Sequence, residues 1–189
     1  MALTKLRSGG ITDDAVVAAA LATNSVGADA LSSSAIAAGD LPANSILQVV
    51  NTTNTTSSIT IDTSTFTDTG IQVQITPSAT SSKVLLLVTI GDIFKNGNNT
   101  SIATRVTASD GSTTYGITSL AGYSGNTGTM AVGGASASFL YSPSTTSQIT
   151  YKLQFASPNG SGGDKGINSK WGSSYPLVST TMTAMEIAG

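Results

Sequence analysis

Aliphatic residues stand at Ile11, Val16, Leu21, Val26, Leu31, Ile36, Leu41 and Ile46, one in every five positions, with almost only small or polar residues between them. Neither regular element accepts that spacing. On an α-helix a step of five residues turns about 500°, so successive aliphatics fall about 140° apart and draw no apolar stripe. On a strand, where side chains alternate with period two, an odd step throws each one onto the opposite face. The spacing therefore calls for a unit that bends once per five residues, or whose alternate members face different neighbours. The flanking residues suit such a unit: Ala15, Ala20, Ser25, Ala30, Ala35 and Ser45 come one place before an aliphatic, and Asp14, Asn24, Asp29 and Asn44 two places before. Small side chains let backbones approach, and Asp and Asn bond to nearby backbone at bends. Self-similarity at a fixed period marks a repeat architecture whose units stack because none buries its apolar face alone. One chain of this repeat has too little apolar mass to do so, which predicts several chains wound together, most simply around a threefold axis. The competing reading, an Ala/Ser-rich linker, has to place eight residues in register by composition alone.

Near Ile46 to Val50 the period stops and strand patterns begin. In "IQVQI", Ile71, Val73 and Ile75 alternate with Gln72 and Gln74, and in "QITYKLQF", Ile149, Tyr151, Leu153 and Phe155 alternate with Thr150, Lys152 and Gln154. Both predict strands with one wet face. "KVLLLVTI" (Lys83 to Ile90) does not alternate, which predicts a strand covered on both sides, inside a sandwich or against a neighbouring subunit. "ILQVV", "SITI", "IATRVT", "SASFLY" and "TMTAMEIA" are further strand candidates. Turn signals lie between them at Pro77-Ser78, Asn96-Gly97, Asp110-Gly111, Pro143-Ser144 and Pro158-Asn159-Gly160. About eight or nine short strands in this span predict an all-β, jelly-roll-like sandwich. Two glycine-rich stretches, Gly122 to Gly134 and Asn159 to Pro176, read as its long exposed loops.

Composition narrows the function. The 28 Ser, 29 Thr and 20 Gly, beside only 10% charged residues, make a surface of hydroxyl, amide and backbone, as in extracellular or virion β-proteins. A net charge of -2 from scattered residues offers no footprint for nucleic acid, which needs clustered Lys and Arg. "MALTKLRSGG" is followed by no secretory apolar core, and "VLLLV" is far too short to cross a bilayer, so a chain made in the cytoplasm with no membrane insertion is expected. Assembly into a particle released by lysis would carry it outside a cell.

Chemistry has few candidates. Without His or Cys, the commonest general base, thiol nucleophile and metal ligands are missing. The ten carboxylates, Asp13 and Asp14, Asp62 and Asp68 and the lone Glu186 among them, show no spacing that suggests a facing pair across a sugar, and they read as solvated or turn-capping groups. "GYSGNTG" lacks the Lys-Ser or Lys-Thr of a phosphate loop, and Asp110-Gly111-Ser112 lacks the remaining ligands of a calcium loop. No catalytic residue, cofactor or metal is expected, and the chain reads as a non-enzyme. Trp171 in "NSKWGSSYP", with Tyr175 and Tyr123, is the candidate surface contact, because aromatics on polar loops stack on sugar rings or anchor protein interfaces. The alternative for Trp171 is that it turns inward to plug the sandwich or the threefold seam.

The five-residue run resembles the repeats of phage tail fibres, and "SKVLLLVTIG", "SPSTTSQITYKLQF" and "TAMEIAG" look like the C-terminal domain attached to such repeats in marine and cyanobacterial phages. The resemblance spans most of Ile11 to Gly189. It implies a homotrimeric virion fibre with a repeat shaft at 11–46 and a β-sandwich head at 47–189. Residues 1–10, with two of the eight basic residues and a closing pair of glycines, read as a hinged anchor onto another virion protein. This copy lacks Lys in its repeats and its shaft is short. Attachment to a host-surface glycan or protein is the expected role. A capsid decoration or head fibre with a purely structural role is the alternative.

Overall fold

The computed structural model describes residues 40–56, 59–95, 101–109, 114–121, 130–158, 165–168 and 178–189, with 114, 118–121 and 130–132 by their backbone alone. The described residues are all-β. They form ten strands: β1 (Ile46–Asn54), β2 (Ile59–Thr60), β3 (Thr67–Ile75), β4 (Lys83–Lys95), β5 (Ile102–Ala108), β6 (Thr114–Ala121), β7 (Met130–Tyr141), β8 (Ile149–Ala156), β9 (Lys165–Ile167) and β10 (Thr180–Ile187). These belong to a compact unit running Pro42–Gly189. Ile46, the last aliphatic of the five-residue period, is thus the first residue of a sheet strand, and it pairs with Ile187. Asn44, two places before it, adopts φ 69°, the left-handed bend expected of Asn at that position.

All strand pairs are antiparallel and make two sheets. The first is organised on β4. One edge of β4 carries β7, and the other carries β10 opposite Lys83–Thr89, then β9 opposite Ile93–Lys95. Outside these, β1 flanks β10 and β2 flanks β9. The second sheet has the order β3-β8-β5-β6. The two pack face to face through their alternate residues: Val84, Leu86, Val88 and Ile90 of β4 with Met182 and Ala184 of β10 meet Ile71, Val73, Ile75, Val106, Tyr151, Leu153 and Phe155. Two aromatic contacts join the sheets, Tyr115 stacked on Phe139 at 4.4 Å and Tyr141 edge-on to Tyr151 at 6.2 Å.

One carboxylate closes an end of the sandwich. Glu186 of β10 is 1% exposed. Its Oε1 accepts bonds from Ser78 N (2.6 Å), Ser78 Oγ (2.7 Å) and Ser82 Oγ (2.6 Å), and its Oε2 from Gln48 Nε2 (2.6 Å). Burial pushes its pKa up, but these donors outweigh burial and hold it below the usual glutamate value. Glu186 therefore ties β10, β1 and the β3–β4 connection together.

Two expectations about loops need correction. Met130 to Gly134, expected within the first long loop, form the start of β7, and Lys165 to Ile167, expected within the second, form β9. The glycines there serve close approach. A Cβ on Gly134 would lie 2.7 Å from the Ile90 carbonyl oxygen, and one on Gly166 would overlap the Ile59 carbonyl oxygen. Gly91 is likewise pressed against Ser179, at a bulge where β4 advances three residues, Ile90 to Ile93, while β7 advances two.

Candidate functional site

The outer face of the first sheet follows from register. Because side chains alternate and β4 buries Val84, Leu86 and Val88, the intervening Leu85, Leu87 and Thr89 point outward. Their cross-strand partners complete three rows over four strands. Val49, Met185, Leu85 and Leu140 make the first, Asn51, Thr183, Leu87 and Ser138 the second, and Thr53, Thr181, Thr89 and Ser136 the third. Ahead of them stand Ile46, Ile187 and Lys83. The face is therefore graded, aliphatic where β1 begins and hydroxyl-bearing further along. Beyond the third row, Gly91 and Gly134 leave a shallow depression of about 230 Å³ floored by Thr89, Ile90, Ala135 and Ser136.

No other layer of described residues covers the aliphatic end. Ile46 is 59% exposed, Val49 55% and Leu140 57%, and with Leu41 at 37% they are the exposed large hydrophobic residues among those described. Three of the four thus share one corner of one sheet face. Single exposed aliphatics are ordinary, but a contiguous row flanked by half-buried Leu85, Met185 and Ile187 marks a surface that gains by being covered. Of the repeat positions, Leu41 and Ile46 are described and Ile46 lies at this corner. Ile11, Val16, Leu21, Val26, Leu31 and Ile36 lie outside the described residues. Sequence reasoning found Leu85 and Leu87 in "VLLLV" and missed Val49, Leu140 and Met185. Their signal was an aliphatic at the outward parity of "LQVV", "FLY" and "TAMEI", and it becomes a row only through pairing.

The described residues of the glycine-rich stretches lie far from that corner. Met130 and Lys165, the first described residues of the two stretches, both pair with Lys95 at the C-terminal end of β4. Ile46 and Ile187 lie at its N-terminal end, beside Lys83. Twelve steps of an extended strand separate these ends by about 40 Å. Trp171, Tyr175 and Tyr123 lie outside the described residues. The base from which Trp171 and Tyr175 depart is described, and it is tightly bonded. Asn168, directly after β9, adopts φ 56° and is fully buried. Its Nδ2 donates at 3.3 Å toward Asn54 O, Asn54 Oδ1 and Thr56 O, its backbone N–H donates to Asp92 O at 3.0 Å, and its Oδ1 accepts from Thr180 Oγ1 at 2.7 Å. The chain therefore leaves the sheet at Asn168 and rejoins it at Thr180 with both ends bonded to each other, so residues 169–179 start from a fixed base.

Of the carboxylates weighed in the sequence, Glu186 is saturated by donors, Asp62 meets Lys165 Nζ at 2.8 Å, and Asp68 meets Lys152 Nζ at 2.9 Å. Among the described residues no group of three or more His, Cys, Asp or Glu is placed to hold a metal ion. No family model matches this chain, and no curated protein matches it.

Proposed function

We propose that this chain is the protomer of a homotrimeric virion appendage, a phage fibre in which residues 11–46 wind three copies together and the jelly-roll-like head contributes to host-surface attachment. The observation that carries self-association is the uncovered aliphatic corner formed by Ile46, Val49, Leu140 and their neighbours. Its occupants are further copies of the same chain. The five-residue period runs into this corner at Ile46, and the three rows carry no charge, Lys83 in the row ahead of them being the one charged residue among those described there. Burying an exposed aliphatic side chain is worth about 1.5–3 kcal/mol. The virion assignment rests on the resemblance of the repeat and of "SKVLLLVTIG" to phage fibres, and a head in which Met130 and Lys165 join the sheet about 40 Å along β4 from Ile46 suits an appendage that is fixed at one end and makes contact at the other.

Light scattering on the full chain is expected to give three times its 18.9 kDa mass. The double change Val49→Asp with Leu140→Asp is expected to lower the mass and leave the β circular-dichroism signal in place. A monomeric wild-type chain would overturn the proposal. Antibody labelling of intact particles separates a tail fibre from a capsid decoration built on the same trimer.

A further inference from the structure

The outer face of the second sheet is built differently, and one row on it has the form of a recognition site. Asp68, Gln154, Arg105 and Gly116 are successive cross-strand partners over β3, β8, β5 and β6. Gln154 is fixed from both sides, its Nε2 donating to Asp68 Oδ1 at 2.6 Å and its Oε1 accepting from Arg105 Nε at 2.8 Å. The guanidinium carbon of Arg105 lies 4.0 Å from the ring centroid of Phe66. Arg105 is therefore held by its Nε and by one flat side. Its two terminal amino groups make no hydrogen bond to the described residues. Beside it, Gly116 is exposed, and a Cβ there would meet nothing within 4 Å, so the row ends in an open notch.

Among the described residues, the charges of this face leave one cation over. Asp68 Oδ2 accepts from Lys152 Nζ at 2.9 Å, which neutralises that lysine locally and leaves the positive charge on Arg105. The next row along the face holds Gln72 and Thr107 beside Lys152, and the row after it Gln74 and Thr150, amides and hydroxyls that both donate and accept. No large hydrophobic residue among those described is exposed here, in contrast to the first sheet. A planar, pre-oriented pair of N–H donors matches the two oxygens of a carboxylate, and amides with hydroxyls around it match the hydroxyls of a sugar. We propose that Arg105, oriented by Gln154 and Phe66 and opening onto the Gly116 notch, binds the carboxylate of an acidic polysaccharide, a polyuronate. The site faces away from the aliphatic corner and does not depend on the trimer, although three copies would add avidity on a repeating polymer.

The test uses the full chain, polygalacturonate, neutral dextran and dextran sulfate, with binding followed by titration calorimetry and folding by thermal melting. Wild type is expected to bind polygalacturonate and not dextran. Arg105→Gln keeps a side chain able to bond Gln154 and is expected to weaken binding about tenfold or more, by loss of a charge-assisted pair. Gly116→Val fills the notch with no change of charge and is expected to weaken binding with melting retained, so the proposal stays testable if Arg105→Gln folds poorly. The proposal is overturned if wild type binds polygalacturonate no better than dextran, or if Gly116→Val binds as wild type does. Equal or tighter binding of dextran sulfate overturns the carboxylate assignment.

Discussion

The two outer faces of this sandwich are made by the same rule and end as opposites. On the second sheet, outward positions are Gln72, Gln74, Lys152, Gln154 and Arg105, so the face is finished by water and by its own ion pair. On the first, the outward positions of β4 and its neighbours include Val49, Leu85, Leu87, Met185 and Leu140, so at the end where β1 begins alternation sorts residues into two faces that are both apolar. A period-2 strand needs one buried face to fix its register. A second apolar face adds nothing to that register within one chain and becomes useful when another molecule covers it. The comparison can be broken at adjacent residues of one strand. Leu86→Ala, facing inward, is expected to cost about 2–5 kcal/mol in denaturant unfolding, because the removed side chain leaves a cavity between the sheets. Leu85→Ala, one residue earlier and facing outward, is expected to leave chain unfolding within about 1 kcal/mol and to shift the proposed trimer to lower mass on dilution. Equal costs would mean that the first sheet is covered within the chain.

The glycines sharpen the same contrast. Gly166 belongs to the first sheet where a Cβ overlaps the Ile59 carbonyl oxygen, while Gly116 belongs to the second with open space around it. Gly166→Ala is expected to destabilise by about 1–3 kcal/mol through backbone displacement. Gly116→Ala is expected to be neutral or stabilising by up to about 1 kcal/mol, since an alanine has fewer unfolded conformations to lose. Chemical denaturation of both variants checks the pair.

The buried and the exposed carboxylate differ in the same way. Glu186→Gln is expected to cost about 1–3 kcal/mol, because a donor amide then faces the Gln48 amide or the Ser78 N–H. The pH dependence has a definite sign. With its folded pKa held below the usual value of 4.5, Glu186 contributes stability that is present above that pH and lost as pH falls through the folded pKa. Melting between pH 3 and pH 7 should show a loss on the acid side that Glu186→Gln makes shallower. Asp68 is also lowered, by its bonds from Gln154 and Lys152 and against a small desolvation, but its pair is exposed. Asp68→Asn is expected to change stability by less than about 1 kcal/mol. Its larger effect should be on Arg105, through the loosened Gln154.

Where strands run was written into the sequence. Alternation in "IQVQI" and "QITYKLQF" located β3 and β8, and Asp110-Gly111 lies between β5 and β6, which pair as neighbours. Two glycine-rich stretches misled, because Gly134 and Gly166 were read as parts of long exposed loops. Their role is to let Ile90 and Ile59 pass, and a neighbour supplied by a distant part of the chain leaves no local pattern. β6 and β9 went unanticipated for a related reason: neither alternates clearly, and β9 is three residues long, so pairing rather than composition makes them strands.

The sequence by itself determined which residues are apolar at each parity of a strand, that β4 has too many of them for one face, and that a single arginine stands among uncharged neighbours in "IATRVT". Tertiary structure decided which strand lies beside which. It brought Val49 to Met185 and Leu85 to Leu140, set Gln154 against Arg105, and placed Glu186 against Ser78, 108 residues away. Side-chain alternation is a local consequence of backbone geometry and can be read from a few residues. A row across a sheet is made by hydrogen bonds between strands far apart in the chain, and its register is set by the burial of the opposite face.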